Sequence, residues 1–405
     1  MTYDIDSVRA DFPALADGSA HFDGPGGTQT PTPVIDAIAG ALRGPLSNRG
    51  TLTAGESRAE QTVADARGAI ADLVGGDPGG VVFGRSATQL CYDFSRWISR
   101  SWGAGDEVVV TRLDHDSNVR PWVQAAERTG ARVRWLDFDP ETSELDDVAT
   151  VLSDRTRLVA VTGASNLIGT KPPVASIAAA AHAAGALVYL DGVHLTAHAS
   201  IDLAALGADL FACSPYKFLG PHLGALAASP ALLDSLIPDK LLPSTNAVPE
   251  RFEFGTLPYE LLAGVAAAVD YLSTIGYPAS SGSGPAGTRR EKLVASLARL
   301  EEYEDALLTR LEDGIRSLPG VSVHSRAAHR TPTLLLTIEG RDTVDAYEFL
   351  AGRGVDAPSS NFYALEASRR LGLGDAGGLR VGLAPYTNAD DVDRLLASLD
   401  AFLAA

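Results

Sequence analysis

Short apolar runs alternate with stretches of helical spacing through the first two thirds of the chain. The runs at 80–83 (GVVF), 107–111 (EVVVT), 132–136 (RVRWL), 157–162 (RLVAVT), 187–190 (LVYL) and 210–212 (LFA) predict strands. The segments between them, among them 86–101, 119–129 and 174–184, carry helix-length patterns. Continuous Val/Ile/Leu runs indicate strands buried on both faces, and their alternation with helices indicates βαβ units. The expected fold class is α/β, with helices on both faces of a parallel sheet.

The texture changes at 276–290, where GYPASSGSGPAGTRR is rich in Gly, Ser and Pro and reads as a flexible loop. A long charged helix is predicted over 290–317 and stops at Pro319-Gly320. Beyond it, VSVHS and TLLLTI predict strands, 342–352 and 364–371 predict helices, and GLRVGLA predicts a last strand. We expect a large domain over 20–275 and a smaller α/β domain built from 1–19 and 276–405. No internal repeat is present.

Composition narrows the function. The chain has 405 residues, 45% hydrophobic and 21% charged, which suits a large globular core and not disorder. Its net charge of −18 repels phosphate backbones and anionic membranes, so no nucleic acid and no membrane partner is expected. Two cysteines, Cys91 and Cys213, make no disulfide framework, and no Cys/His cluster has zinc spacing, so no metal is expected. The acidic N-terminus lacks the basic flank and apolar run of a signal peptide, and a cytoplasmic enzyme is the expectation.

Three features fall at predicted strand ends, where open α/β sheets place ligands. In FGRSATQL, Ser86, Ala87 and Thr88 open a helix whose free N–H groups suit a phosphate; taken alone, a plain Ser or Thr N-cap is the favoured reading, since N-caps are common. In VYLDGVHLTAH, Asp191 directly follows an apolar strand and could cap a helix, ligate a metal or face a cofactor cation. In CSPYKFLGPHLG, Lys217 lies among Ser214, Tyr216, Phe218 and Gly220, where desolvation would lower its pKa as Schiff-base chemistry requires. A structural ion pair is the plain alternative for either charge. Together the three are the parts that hold pyridoxal phosphate: a phosphate nest, a carboxylate for the pyridine nitrogen and an imine-forming lysine.

At these residues the sequence resembles the class V aminotransferase family of fold-type I enzymes, in its cysteine desulfurase-like branch. Besides the three segments above, HFDGPGGTQTP, LDHDSNVRPW, ASNLIGT, RFEFGTLPYELLAG and GGLRVGLAPYTNADDVDRLL match the family's segments in order, so the resemblance spans nearly the whole chain. It implies a mainly parallel seven-stranded sheet with a smaller C-terminal α/β domain. It further implies that Lys217 is the Schiff-base lysine, Asp191 the pyridinium partner and His115 the ring-stacking residue. Asn166 would bond the cofactor's 3′-oxygen, and Ala87, Thr88 and Ser214 its phosphate. Gly255 and Thr256 would reach the phosphate from the second subunit of a homodimer. Arg380 would clamp the substrate α-carboxylate through its planar fork.

The sequence departs from the family in three places. His194 stands where members place Gln, and Tyr216 replaces a His beside the phosphate, both still at cofactor-binding positions. The loop that carries the desulfurase cysteine reads GVDAPSSNFYALEASRRLG, with Ser359, Ser360 and Asn361 and no thiol, which leaves Asn361 as a substrate-side residue. Cys91 and Cys213 fall in a predicted helix and strand end, where packing is the common role.

The reaction implied is a lyase on an amino-acid substrate, through an external aldimine and a carbanion or enamine, cleaving a C–S bond by β-elimination without a persulfide. Transamination, decarboxylation, epimerisation and C–C bond formation stay open on the same scaffold. From other classes, a non-catalytic accessory protein would keep the fold, and a nicotinamide oxidoreductase would need a dinucleotide fingerprint. Gly372-x-Gly374-x-x-Gly377 has that spacing but follows a helix and precedes a strand, so it reads as a loop. His194 and His198 have i, i+4 spacing without the glutamate of a zinc protease. The charges over 289–310 read as a solvated helix face with i, i+4 pairs.

Overall fold

The computed structural model describes residues 3–277 and 286–405, so most of the Gly/Ser-rich stretch read at 276–290 lies outside the described residues. A seven-stranded sheet forms the centre, in the order Val81–Gly84, Gly224–Ala228, Leu210–Cys213, Leu187–Asp191, Thr156–Thr162, Glu107–Thr111, Arg132–Leu136. Gly224–Ala228 runs antiparallel to both neighbours, and the others are parallel.

In all but the edge strand Arg132–Leu136, alternate side chains enter different apolar layers. Val81, Phe83, Val109, Val188 and Leu190 pack on one face, while Val82, Val108, Val110 and Tyr189 pack on the other. Burial on both faces explains why these strands read as continuous apolar runs. Helix Ala87–Ile98 covers one face, and Ala54–Val74, opened by a Thr53/Glu56 capping box, covers the other.

The six strands read from the pattern are present within a residue or two of their expected ends. The seventh, Gly224–Ala228, has no β-branched residue and gave no strand signal. Its composition answers to a close approach. A Cβ on Gly224 would lie 2.3 Å from the Ser86 carbonyl carbon and 2.6 Å from the Ala87 nitrogen.

A second sheet of four antiparallel strands has the order Ser359–Ser360, Gly378–Gly382, Thr333–Ile338, Val321–Val323. Helices Arg289–Arg316 and Ala389–Ala404 pack on it through Leu308, Leu311, Leu395 and Leu399. The short N-terminal strand Ala20–His21 pairs in parallel with Val355–Asp356, and Asp23 bridges Gly382. We propose that 20–275 form the large domain and 1–19 with 276–405 the smaller, residues 20–23 being stitched to the latter before the chain passes to the site.

The charged helix corrects one expectation. Among the described residues its charges make no i, i+4 ion pair. Arg289 reaches Asp72 (2.8 Å) and Asp270 (3.0 Å), Glu301 reaches Lys171 (2.8 Å), and Arg310 reaches Asp393 (2.6 Å). The helix spends its charges on neighbouring elements because it is packed on several sides. No described helix is long and apolar enough to cross a membrane.

Candidate active site

The carboxyl ends of the parallel strands, the start of helix Ala87–Ile98 and the loop after Ser359–Ser360 enclose a cavity of about 540 Å³. Lys217, Asp191, His115, Asn166 and Arg380 all line it, and so do Ser86, Ala87, Thr88, His194, Ser214 and Tyr216. Residues separated by up to 294 positions in sequence thus meet in one place, as expected from the strand-end rule.

Asp191 ends its strand in register with Thr162 and Ala212. One oxygen accepts the Val193 N–H at 2.9 Å, and burial raises its pKa to about 6. Lys217 closes a tight turn, Pro215–Lys217, whose exit requires Leu219 at φ 70° and Gly220 packed on Pro215. Its Nζ donates to the carbonyls of Pro25 and Gly26, the latter at 2.8 Å, and lies 4.8 Å from the Tyr216 ring centroid. Burial first, and then the Arg380 charge, lower its pKa to about 7, against the opposing pull of Asp23 and Asp191.

His115 Nδ1 accepts the Ser117 backbone N–H at 3.0 Å, so in the neutral ring the proton sits on Nε2. Burial, with Lys217 and Arg380, lowers its pKa to about 4 and keeps it neutral. Asn166 donates through Nδ2 to the Phe362 carbonyl at 2.9 Å, while its buried Oδ1 has no partner.

Arg380 is 2% exposed. It donates to Asp23 at 2.6 Å and to the Asn166 carbonyl at 3.0 Å, lies 3.6 Å from the Phe362 ring centroid, and keeps an unpartnered Nε–H. Ser86 Oγ caps its helix by accepting the Gln89 N–H at 3.1 Å. The plain capping role therefore holds for its side chain, while the helix start it fixes faces the cavity.

Three residues do not line this cavity. Asn361 turns away: its Nδ2 donates to the Asp375 carbonyl at 2.7 Å and its Oδ1 accepts the Tyr363 N–H at 2.9 Å, so its amide shapes the loop, and Ser360 and Phe362 face the site instead. Gly255 and Thr256 also lie outside it. His194 is held at Nε2 by the hydroxyls of Thr331 (2.9 Å) and Thr333 (3.0 Å), and His198 pairs with the buried Glu304 at 2.8 Å. Both rings are thus engaged with protein, and no cluster of three metal-ligating residues occurs among the described residues. The 372–377 glycines form a loop, as expected.

Sequence reasoning missed Asp23, Tyr92, Arg120, Phe362 and Tyr363, all in the cavity wall. For Asp23 the turn-forming DGPGG after a short strand was an available signal; for the two loop aromatics none was.

The residues fit pyridoxal phosphate. The orphaned buried Asn166 Oδ1 lacks a partner, the Ser86–Thr88 helix start lines the cavity, and an amine and a carboxylate face the same volume. Fold and site together define an α/β enzyme dependent on that cofactor.

Known proteins agree. The profile of the aminotransferase class-V family matches residues 20–285. An uncharacterised protein of Mycobacterium tuberculosis is 34% identical over 98% of this chain and 99% of its own length. A cysteine desulfurase of Klebsiella pneumoniae is 30% identical over 98% of both chains. The crystal structure of the Escherichia coli cysteine desulfurase CsdA superposes with a TM-score of 0.87 at 25% identity, covering 100% of this chain and 99% of that one. The chain belongs to the class V aminotransferase family, within its cysteine desulfurase-like group.

Proposed function

We propose that the protein cleaves a bond at Cβ of an α-amino acid by β-elimination, as a C–S lyase that uses no protein persulfide. The observation that carries this reading is one cavity holding Lys217, Asp191 and Arg380 with no thiol in its wall. When bound, pyridoxal phosphate supplies an aldehyde that takes up amines and a ring that withdraws electrons from the substrate Cα. Asp191 holds the proton on the ring nitrogen. His115 covers the ring, Asn166 bonds its 3′-oxygen, and the Ser86–Thr88 helix start with Ser214 and Tyr216 receives the phosphate. His194, locked by two threonines, stands beside them.

Arg380, in the cavity wall, takes the substrate carboxylate. Lys217 Nζ, a largely neutral amine above pH 7, accepts the α-proton, and the sulfur substituent departs from Cβ as a thiolate. A thiol nucleophile has no place in this scheme. Both cysteines are buried, and burial pushes Cys213 up to about 12 and Cys91 well above the ordinary thiol value, so neither is a thiolate at neutral pH.

Borohydride reduction of the holoenzyme followed by peptide mapping is expected to place the pyridoxyl group on Lys217; a label on Lys171 would overturn the assignment. The rate at which apoenzyme regains visible absorbance with added cofactor should fall about tenfold per pH unit below pH 7, because only the unprotonated amine attacks an aldehyde. A pH-independent rate between 5 and 7 would contradict it. The Cys91→Ala/Cys213→Ala protein is expected to keep wild-type turnover on S-substituted cysteines, with no persulfide detectable by mass on the wild type treated with free cysteine. Loss of turnover in a folded, cofactor-bound double variant, together with a wild-type persulfide, would sink the reading.

The active unit is proposed to be a homodimer, with Gly255 and Thr256 reaching the partner's phosphate. Apolar side chains stand exposed on the segments that flank them: Leu52, Ile237, Leu242 and Phe254. Arg49, which bonds Glu250 at 3.1 Å, ties the two segments together. Sedimentation at micromolar concentration is expected to give two chains per particle. A fully active monomer would refute it.

A further inference from the structure

The loop after Ser359–Ser360 sets two aromatic residues in the cavity wall. Phe362 and Tyr363 follow one another there with φ of 50° and 58°, a left-handed region that residues with a Cβ rarely adopt. Four hydrogen bonds hold them in it. Ser360 Oγ accepts the Phe362 N–H at 3.3 Å, Asn361 Oδ1 accepts the Tyr363 N–H, Asn166 Nδ2 donates to the Phe362 carbonyl, and the Asp116 N–H donates to the Tyr363 carbonyl at 2.7 Å. A conformation so over-determined beside a site serves the site.

Its consequence is the placement of two rings. The Arg380 guanidinium sits over the Phe362 ring, 3.6 Å from Cζ to the ring centroid. Tyr363, 75% exposed, stacks on His115 with centroids 5.6 Å apart and planes 30° apart. Nearby charges are already committed. Arg380 is bonded to Asp23, Lys217 to two backbone carbonyls, and Arg120 to Asp116 at 3.1 Å. A substrate whose carboxylate meets Arg380 therefore shares the cavity with the faces of these two rings.

We propose that Phe362 and Tyr363 are specificity-determining residues that select α-amino acids with an uncharged side chain ending in an apolar or aromatic group, such as S-benzylcysteine. The inference rests on the amino-acid reading above and goes beyond it by naming the side-chain class. Burying an apolar group against such rings is favourable, while an unpaired charge there is not.

The test uses substrates that cannot turn over. Holoenzyme is titrated, by visible absorbance, with α-methylphenylalanine, α-methylaspartate, α-methyl-lysine and 2-aminoisobutyrate. The phenylalanine analogue is expected to bind at least about tenfold tighter than either charged analogue. Tyr363→Ala and Phe362→Leu are each expected to lower the affinity ratio of the phenylalanine analogue to 2-aminoisobutyrate by about threefold or more. Equal or tighter binding of a charged analogue overturns the proposal, and so does a ratio unchanged in both variants, which would leave the rings a purely structural role. A holoenzyme whose spectrum responds to none of the four amines overturns the amino-acid reading itself, and this inference with it. A response without side-chain preference overturns this inference alone.

Discussion

Asp191→Asn is expected to leave the fold intact and to lower turnover by about 10³-fold, a barrier increase of about 4 kcal/mol. The side chain ends a central strand between Thr162 and Ala212, and the amide oxygen can still accept the Val193 N–H, so local geometry survives the change. What is lost is charge. Burial raises the carboxyl to about 6, yet at pH 7–8 it is ionised, as its proposed role of holding the ring-nitrogen proton requires; a neutral amide cannot take that role. Because its folded pKa lies above the ordinary carboxylate value, the apo fold has this group's full help below about pH 4 and loses it as pH rises from there through 6. The variant apoenzyme should therefore melt at least as high as wild type at pH 8. Turnover within tenfold of wild type, measured on whichever S-substituted cysteine the enzyme prefers, would remove Asp191 from its assigned role.

Gly224→Ala is expected to cost the holoenzyme its cofactor, with affinity falling about 100-fold, and to destabilise the protein by about 1–3 kcal/mol. The added Cβ would sit 2.3 Å from the Ser86 carbonyl carbon and 2.6 Å from the Ala87 nitrogen. These are backbone atoms of a helix start, so no side-chain rotation relieves the clash, and helix and strand must separate. That helix start presents the N–H groups assigned to the phosphate, so the shift acts on binding as well as packing. Cofactor retention after dialysis and the thermal midpoint measure the two effects. A variant that keeps its cofactor like wild type would show that the phosphate sits elsewhere.

The large sheet was legible because its inner strands are buried on both sides and carry apolar runs, while the edge strand Arg132–Leu136 shows the alternation of a half-exposed strand. Gly224–Ala228 escaped because closeness to a helix start selected Gly and Ala over the β-branched residues that mark a strand. The helices Thr32–Arg43, Ala54–Val74 and Tyr259–Leu272 lay in Ala-rich stretches whose pattern drew no reading, although they pack on one another beside the sheet. Within the site, Asp191 stood out as a charge directly after an apolar strand, and Lys217 as a lysine between a strand and a Gly/Pro turn; both positions open onto strand ends. Family, cofactor and fold class were all available in the order of short motifs along the chain.

Tertiary structure alone decided what those groups face. Arg380 and Asp23 are 357 positions apart in the chain yet bonded at 2.6 Å, and the residue that shapes the substrate loop, Asn361, points to Asp375 and not to the cavity. The charged helix around Arg310 looked solvated in sequence and is cross-linked in space. Sequence patterns report local burial and backbone preference, so they determined the strands, their ends and the chemistry carried there. Which ring lies on which cation depends on contacts between distant segments, and those exist only once the two sheets have packed.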